Sequence, residues 1–217
     1  MLIGIEKRFI FVSNTKSAST SVEKALSPFS EVILGGTPKE KHISIRDFLA
    51  NADQFVGGYL NDFDPDEFFK FGIMRDPLEW IGSWYRYRIS NKVADPLPKN
   101  MPFEEFWERR DWNVVKRDGS PFLQCDKFCD NQGKPMVDVI IPFNDLPNFF
   151  GKICNELGID SPLGKLNISN RKELEVPQDI LEELMQHYAK DYELLELSKE
   201  LNEIGMKKLK KIRRTPG

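Results

Sequence analysis

Three short apolar runs, each leading into a polar turn and then a helix-forming stretch, constrain this chain more than any other feature. They are Arg8–Asn14 (RFIFVSN), Phe68–Met74 (FFKFGIM) and Val137–Phe143 (VDVIIPF). Each is too short for a helix, and each reads as a strand buried on both faces. Helical stretches separate them. VEKAL closes at Ser27-Pro28, and Ser44 caps a start with Asp47 at capping-box spacing. Pro77 opens LEWIGSWYRYRIS, FEEFWERR follows a loop with three prolines at 91–102, and 146–157 ends at Gly158. Pro177–Leu201 carries Leu181, Leu184, Tyr188, Tyr192 and Leu195 at helical spacing and predicts one long amphipathic helix. The expected architecture is α/β, with a central, mostly parallel sheet flanked by helices in a single domain over 1–217. The basic end, about 206–217, is expected to be a solvated, frayed tail.

Composition narrows the function. With 40% hydrophobic residues and 30% charged residues, the 217-residue chain can bury an ordinary globular core. Its net charge of −3 argues against a general nucleic-acid binder but leaves room for a local anion pocket. Cys125, Cys129 and Cys154 make an odd count that suggests reduced thiols. With His42 and His187 the only histidines, no metal site is expected. Glu6, Lys7 and Arg8 interrupt the apolar N-terminus, so neither a signal peptide nor a membrane span is expected there, and the expected location is cytoplasmic.

Two segments carry chemistry. After the first run comes Thr15-Lys16-Ser17-Ala18-Ser19-Thr20-Ser21, a small, polar, P-loop-like turn from strand to helix. Small side chains let backbone N–H groups approach an anion, and the helix N-terminus favours negative charge. The segment has no glycine and so is not a Walker A loop. The plain alternative is a Ser-rich helix cap. The second segment is FKFGIMRDPLEWIGSWYRYR, where a strand ends in Arg75 and Ser83 follows eight residues later. A guanidinium fork and a hydroxyl can clamp one phosphate from two sides. The alternatives are a salt bridge closing the Arg75-Asp76 turn, and helix-face packing for Trp80, Trp84 and Tyr85.

Together these segments resemble the PAPS-dependent sulfotransferases (PAPS is 3′-phosphoadenosine-5′-phosphosulfate), particularly the carbohydrate or Golgi-type branch and its bacterial relatives. TKSASTS resembles that family's 5′-phosphosulfate loop, and RDPLEWIGS its 3′-phosphate motif. KHISIRDF, FLQCDKFCDNQGKPMVDVIIPFNDL, LNIS and HYAKDYELL resemble later family segments in the same order. Thr15 stands where the family usually has proline, and Ala18 and Ser19 where glycine is common. The resemblance implies PAPS as co-substrate, no metal, and in-line transfer to a hydroxyl or amine of a small-molecule or carbohydrate acceptor. Lys16 would neutralise the leaving phosphate, and Ser17, Ala18, Ser19, Thr20 and Ser21 would donate to it. Arg75 and Ser83 would hold the 3′-phosphate. His42 would be the acceptor's base, with Glu40 and Asp62 as rivals and His187 structural. Ser169 and Arg171, in a loop with Asn167 and Asn170, would touch the nucleotide. Two other functions compete: a P-loop nucleotide or small-molecule kinase, and a non-catalytic binding protein of the same fold.

Overall fold

The computed structural model describes residues 1–90, 93–164 and 174–212. Five strands form one sheet: β1 (Leu2–Gly4), β2 (Phe9–Val12), β3 (Val32–Ile33), β4 (Phe69–Met74) and β5 (Val139–Pro142), in the order β3-β1-β2-β4-β5. β4 pairs in parallel with both β2 and β5. β1 pairs antiparallel with both β2 and β3. The sheet is therefore mixed, not mostly parallel. The antiparallel edge escapes a sequence reading because β1 and β3 are too short to show a period. The charges at Glu6, Lys7 and Arg8 are the turn of the β1–β2 hairpin, where Arg8 donates its N–H to the Ile5 carbonyl at 3.2 Å.

Alternation along the strands splits the core. Ile10, Val12, Met74 and Ile140 face one layer; Phe9, Phe11, Phe69, Phe71, Val139 and Ile141 face the other. α1 (Ser19–Leu26) and α7 (Leu146–Leu157) cover the Phe-rich face with Val22, Leu26, Phe150 and Ile153. α2 (Pro38–Lys41), α3 (Ile45–Leu49) and α4 (Ala52–Val56) follow β3. α3 and α4 join α5 (Pro77–Arg88) and α6 (Phe103–Glu108) on the opposite face through Phe48, Val56, Trp80 and Phe106. Burying each such side chain stabilises the fold by about 1.5–3 kcal/mol.

The long helix expected over 177–201 is two. α8 (Gln178–His187) ends at Tyr188, and α9 (Ala189–Ile212) starts immediately after it. The apolar spacing runs through the break because the fully buried Tyr188 serves both helices. Residues 206–212 are helical rather than frayed, and Lys208 donates to both Asp138 oxygens. Gly205 lets α9 lie on β5, since a Cβ there would sit 2.0 Å from the Asp138 carbonyl oxygen. Asn202 pins the same contact, bonding both the N–H and the carbonyl of Ile140 at 2.8 Å. Among the described residues, no helix is long and apolar enough to cross a membrane.

Candidate functional site

β2 and β4 are parallel neighbours, so their carboxyl ends, Val12 and Met74, open on the same edge. After β2 the chain leaves towards β3 on one side, whereas β4 is followed by β5 on the other. This is a topological switch point, the place where open α/β sheets form a crevice. Both chemistry-bearing segments begin there.

The loop Ser13–Ala18 is fixed from inside. Ser17 and Ser19 hydroxyls donate to the Asn14 carbonyl at 2.9 and 2.6 Å. Asn14 in turn donates its amide to the Ile73 carbonyl and the Gln124 side-chain oxygen at 3.1 and 3.0 Å. Ser17 and Ser19 are buried, so their hydroxyls act on the loop. Lys16 and Ala18 adopt left-handed backbone, φ 57° and 60°, without being glycine. That costs roughly 1–2 kcal/mol at each position, and such strain persists only where surrounding bonds fix it. Among the described residues, the N–H groups of Ser17, Ala18, Ser19 and Thr20 have no acceptor, and the last two are the free donors at the start of α1. Thr20 is exposed and Ser21 half-buried.

α5 lies against this loop. Asp76 caps the helix, accepting from the Glu79 N–H at 3.1 Å, with Pro77 in its first turn. Trp80 donates its indole N–H to the Thr15 carbonyl at 2.9 Å. Trp80 and Trp84 are buried, as helix-face packing requires, and Tyr85 donates to the Met101 carbonyl at 2.6 Å. Arg75 is buried at 7% exposure and donates to the Lys16 carbonyl at 3.3 Å. Its guanidinium lies 4.2 Å from the Phe143 ring centre and 3.4 Å from the Glu79 carboxylate. The alternative of a salt bridge to Asp76 takes a different form: the partner is Glu79, one helical turn on. Half-buried Ser83 lies one turn beyond Glu79 on the same face. The Lys16 ammonium sits 3.9 Å from the centre of the Tyr87 ring and 5.5 Å from that of Trp84.

The 124–127 segment ties these parts together. The Gln124 amide accepts from the Arg75 N–H at 3.1 Å and donates to the Arg75 carbonyl at 2.8 Å, while also receiving Asn14. The segment is held from α9 by Asp191, which is fully buried and accepts from the N–H groups of Gln124 and Cys125 at 3.0 and 2.8 Å. Burial raises the Asp191 carboxyl to about 6, although both N–H bonds favour its charged form. Cys125, Cys129 and Cys154 are buried free thiols, and burial pushes Cys129 and Cys154 up to about 12.

His42 ends α2 beside the loop. Its Nδ1 lies 3.1 Å from the Ser13 carbonyl oxygen. A carbonyl can only accept, so Nδ1 carries the proton and Nε2 keeps a lone pair. Burial lowers the His42 pKa, opposed by that bond and assisted by Lys127 and Lys41. The imidazole is therefore a neutral base at neutral pH. It lines an open cavity of about 1330 Å³ with Thr15, Trp84, Tyr87, Arg88, Trp112 and Lys127, among others. Thr15 Oγ1 and Trp84 Nε1 are buried in this wall without partners among the described residues.

The rival bases fare differently. Glu40 lines the same cavity, but its carboxylate closes a capping box with Thr37. Asp62 is exposed and is absent from the cavity wall. His187 packs edge-on against Trp107 and bonds the Val114 carbonyl at 3.1 Å, a structural setting. Asn167, Ser169, Asn170 and Arg171 lie outside the described residues.

Sequence reasoning missed Asn14, Gln124, Lys127, Tyr87 and Asp191 as parts of the site. Asn14 lies next to the lysine loop and the others lie inside segments quoted above, but their roles depend on contacts far along the chain, which local sequence does not show. No family model, curated protein or solved structure matches this chain.

Proposed function

We propose that this chain is a PAPS-dependent sulfotransferase acting on a hydroxyl or amine of a small-molecule or carbohydrate acceptor. One observation carries the proposal. The lysine loop and the Arg75 motif, 59 residues apart, meet through the Arg75–Lys16 bond at the ends of adjacent parallel strands. Two cationic side chains and a run of N–H groups without acceptors among the described residues then lie at one sheet edge, next to the cavity that Thr15 and His42 line, a setting suited to a doubly charged nucleotide.

In this scheme the acceptor oxygen forms a bond to sulfur as the bond from sulfur to the 5′-phosphate oxygen breaks. The acceptor proton passes to His42 Nε2, and adenosine 3′,5′-bisphosphate leaves. The Lys16 ammonium moves from the Tyr87 face to the bridging oxygen. The N–H groups of Ser17, Ala18, Ser19 and Thr20 bind peripheral oxygens, and the fixed donors need little reorganisation during reaction. Arg75 turns from Glu79 to the 3′-phosphate, with Ser83 as second donor.

The test is binding followed by transfer. Adenosine 3′,5′-bisphosphate raises the melting temperature without magnesium, whereas ATP with magnesium does not. Labelled PAPS gives transfer to a member of an acceptor pool. Lys16→Ala and Arg75→Ala abolish transfer, while His42→Ala keeps nucleotide binding and lowers turnover by roughly 10²–10⁴-fold. Stabilisation by ATP–magnesium alone sinks the proposal in favour of a kinase. Bisphosphate stabilisation with no labelled product across the pool would point instead to nucleotide binding without transfer.

A further inference from the structure

We propose that Lys127 is a positioning residue for His42: its ammonium clamps the His42 carbonyl and holds the neutral imidazole with Nε2 bare beside the cavity. The role as base rests on the function proposed above; the clamp itself does not. Lys127 donates to the His42 carbonyl across 85 residues of sequence. Both side chains line the same cavity. The ring is gripped from the other side by the Ser13 carbonyl at its Nδ1. His42 is thus held by its main chain and by its ring, and both holds end on the frame that fixes the lysine loop.

That frame gives Lys127 a defined origin. It ends the turn Cys125–Lys127, whose first N–H groups are bound by Asp191 and whose neighbour Gln124 bonds Arg75 and Asn14. Displacement of Lys127 would therefore leave His42 tied to the loop by its Ser13 bond alone, without the support it shares with Arg75.

The charges around the imidazole also point to Lys127. Lys41 is neutralised by Glu23 at 2.8 Å, and Glu23 also receives the Ser13 hydroxyl at 2.7 Å. Asp126, the acid beside Lys127, is paired with Lys116 at 2.7 Å. Asp47 interacts with Lys127 only at longer range. Lys127 is left as the least compensated cation near His42, and a nearby like charge disfavours a protonated imidazole. It also contributes, after burial, to the lowered His42 pKa.

Because the chain has two histidines, the imidazoles can be followed individually by ¹⁵N and ¹³C NMR in the whole protein, with His187→Gln assigning the second. The wild type shows His42 protonated at Nδ1 and titrating below the ordinary histidine range. Lys127→Met removes bond and charge; we expect the His42 pKa to rise by about 0.5–1 unit and the tautomers to mix. Lys127→Gln keeps a donor without charge; the pKa rises while the Nδ1 tautomer persists. Lys127→Arg restores both. A folded Lys127→Met protein whose His42 pKa and tautomer match the wild type overturns the proposal. If that variant does not fold, an unchanged pKa in Lys127→Gln does the same. If wild-type protein fails to bind adenosine 3′,5′-bisphosphate, the sulfotransferase function fails while the NMR result still decides the role of Lys127.

Discussion

The two sides of the cleft are built differently. The loop side, Ser13–Ala18 with Arg75 and Gln124, is fixed by buried hydrogen bonds that join segments 59 to 110 residues apart. The wall carrying His42 consists of the short helices α2 and α3, whose ends are closed by local caps, Thr37 with Glu40 and Ser44 with Asp47. Long-range ties from this wall among the described residues include Ser13 and Lys127 to His42, Arg46 to Asn131 at 2.7 Å, Lys41 to Glu23, and the Met1 ammonium to the Lys41 carbonyl at 2.8 Å. Under the proposed function, a part that must fit one constant ligand gains from rigidity, whereas a part that meets a variable acceptor can be locally folded and easily changed.

Cutting each side once should show the contrast. Asn14→Ala leaves the Ser17 and Ser19 bonds to its carbonyl but strips the amide that joins β4 and Gln124. A buried network that loses one member costs about 2–4 kcal/mol, read as a lower midpoint in urea. On the wall, Thr37→Ala removes an exposed cap and costs about 1 kcal/mol. Equal losses would end the comparison.

The two sides should also differ in pH dependence, with opposite signs. Asp191 titrates at about 6 in the folded protein, above its ordinary 3.8. A raised folded pKa gives stability that is complete below the unfolded value and lost as pH rises through the folded one. Asp191 should therefore cost about 2–3 kcal/mol between pH 4 and 7. His42 is lowered, so its contribution is complete above 6.5 and lost as pH falls towards its folded value. Urea titrations over this range should lose the first slope in Asp191→Asn and the second in His42→Gln. Identical pH profiles for Asp191→Asn and the wild type would remove Asp191 from the frame's titration.

What was legible in the sequence follows the range of the forces involved. β2, β4 and β5 showed because each is a dense apolar run whose burial is a local property. The Ser44 cap and the Pro77 start showed because capping is decided within four residues. The antiparallel edge did not, because β3 has only two residues and gains its place by pairing with β1. In the site, Lys16 and Arg75 stood out as charged residues beside strand ends, and His42 through the family resemblance. Gln124 and Asp191 did not, because nothing local separates a glutamine that bridges two motifs from one that faces solvent. The inward turn of Ser17 and Ser19 was hidden too, since a hydroxyl can serve a ligand or its own backbone equally well.

The smallest effect tests whether the loop's rigidity comes from its frame or from its own residues. Ala18 holds φ 60° just before α1, where glycine would carry no Cβ penalty. Ala18→Gly relieves that strain, but it frees the unfolded chain and removes a methyl that packs against the Phe-rich layer. The strain is about 1–2 kcal/mol and the two opposing terms together come close to 1, so the net gain should be at most about 1 kcal/mol. If the frame sets the geometry, the variant is slightly more stable and binds adenosine 3′,5′-bisphosphate with unchanged affinity. If instead the methyl holds the N–H groups in register, stability rises while affinity falls several-fold. The loop would then depend on its own residues, much as the His42 wall does, and the contrast between the two sides would narrow.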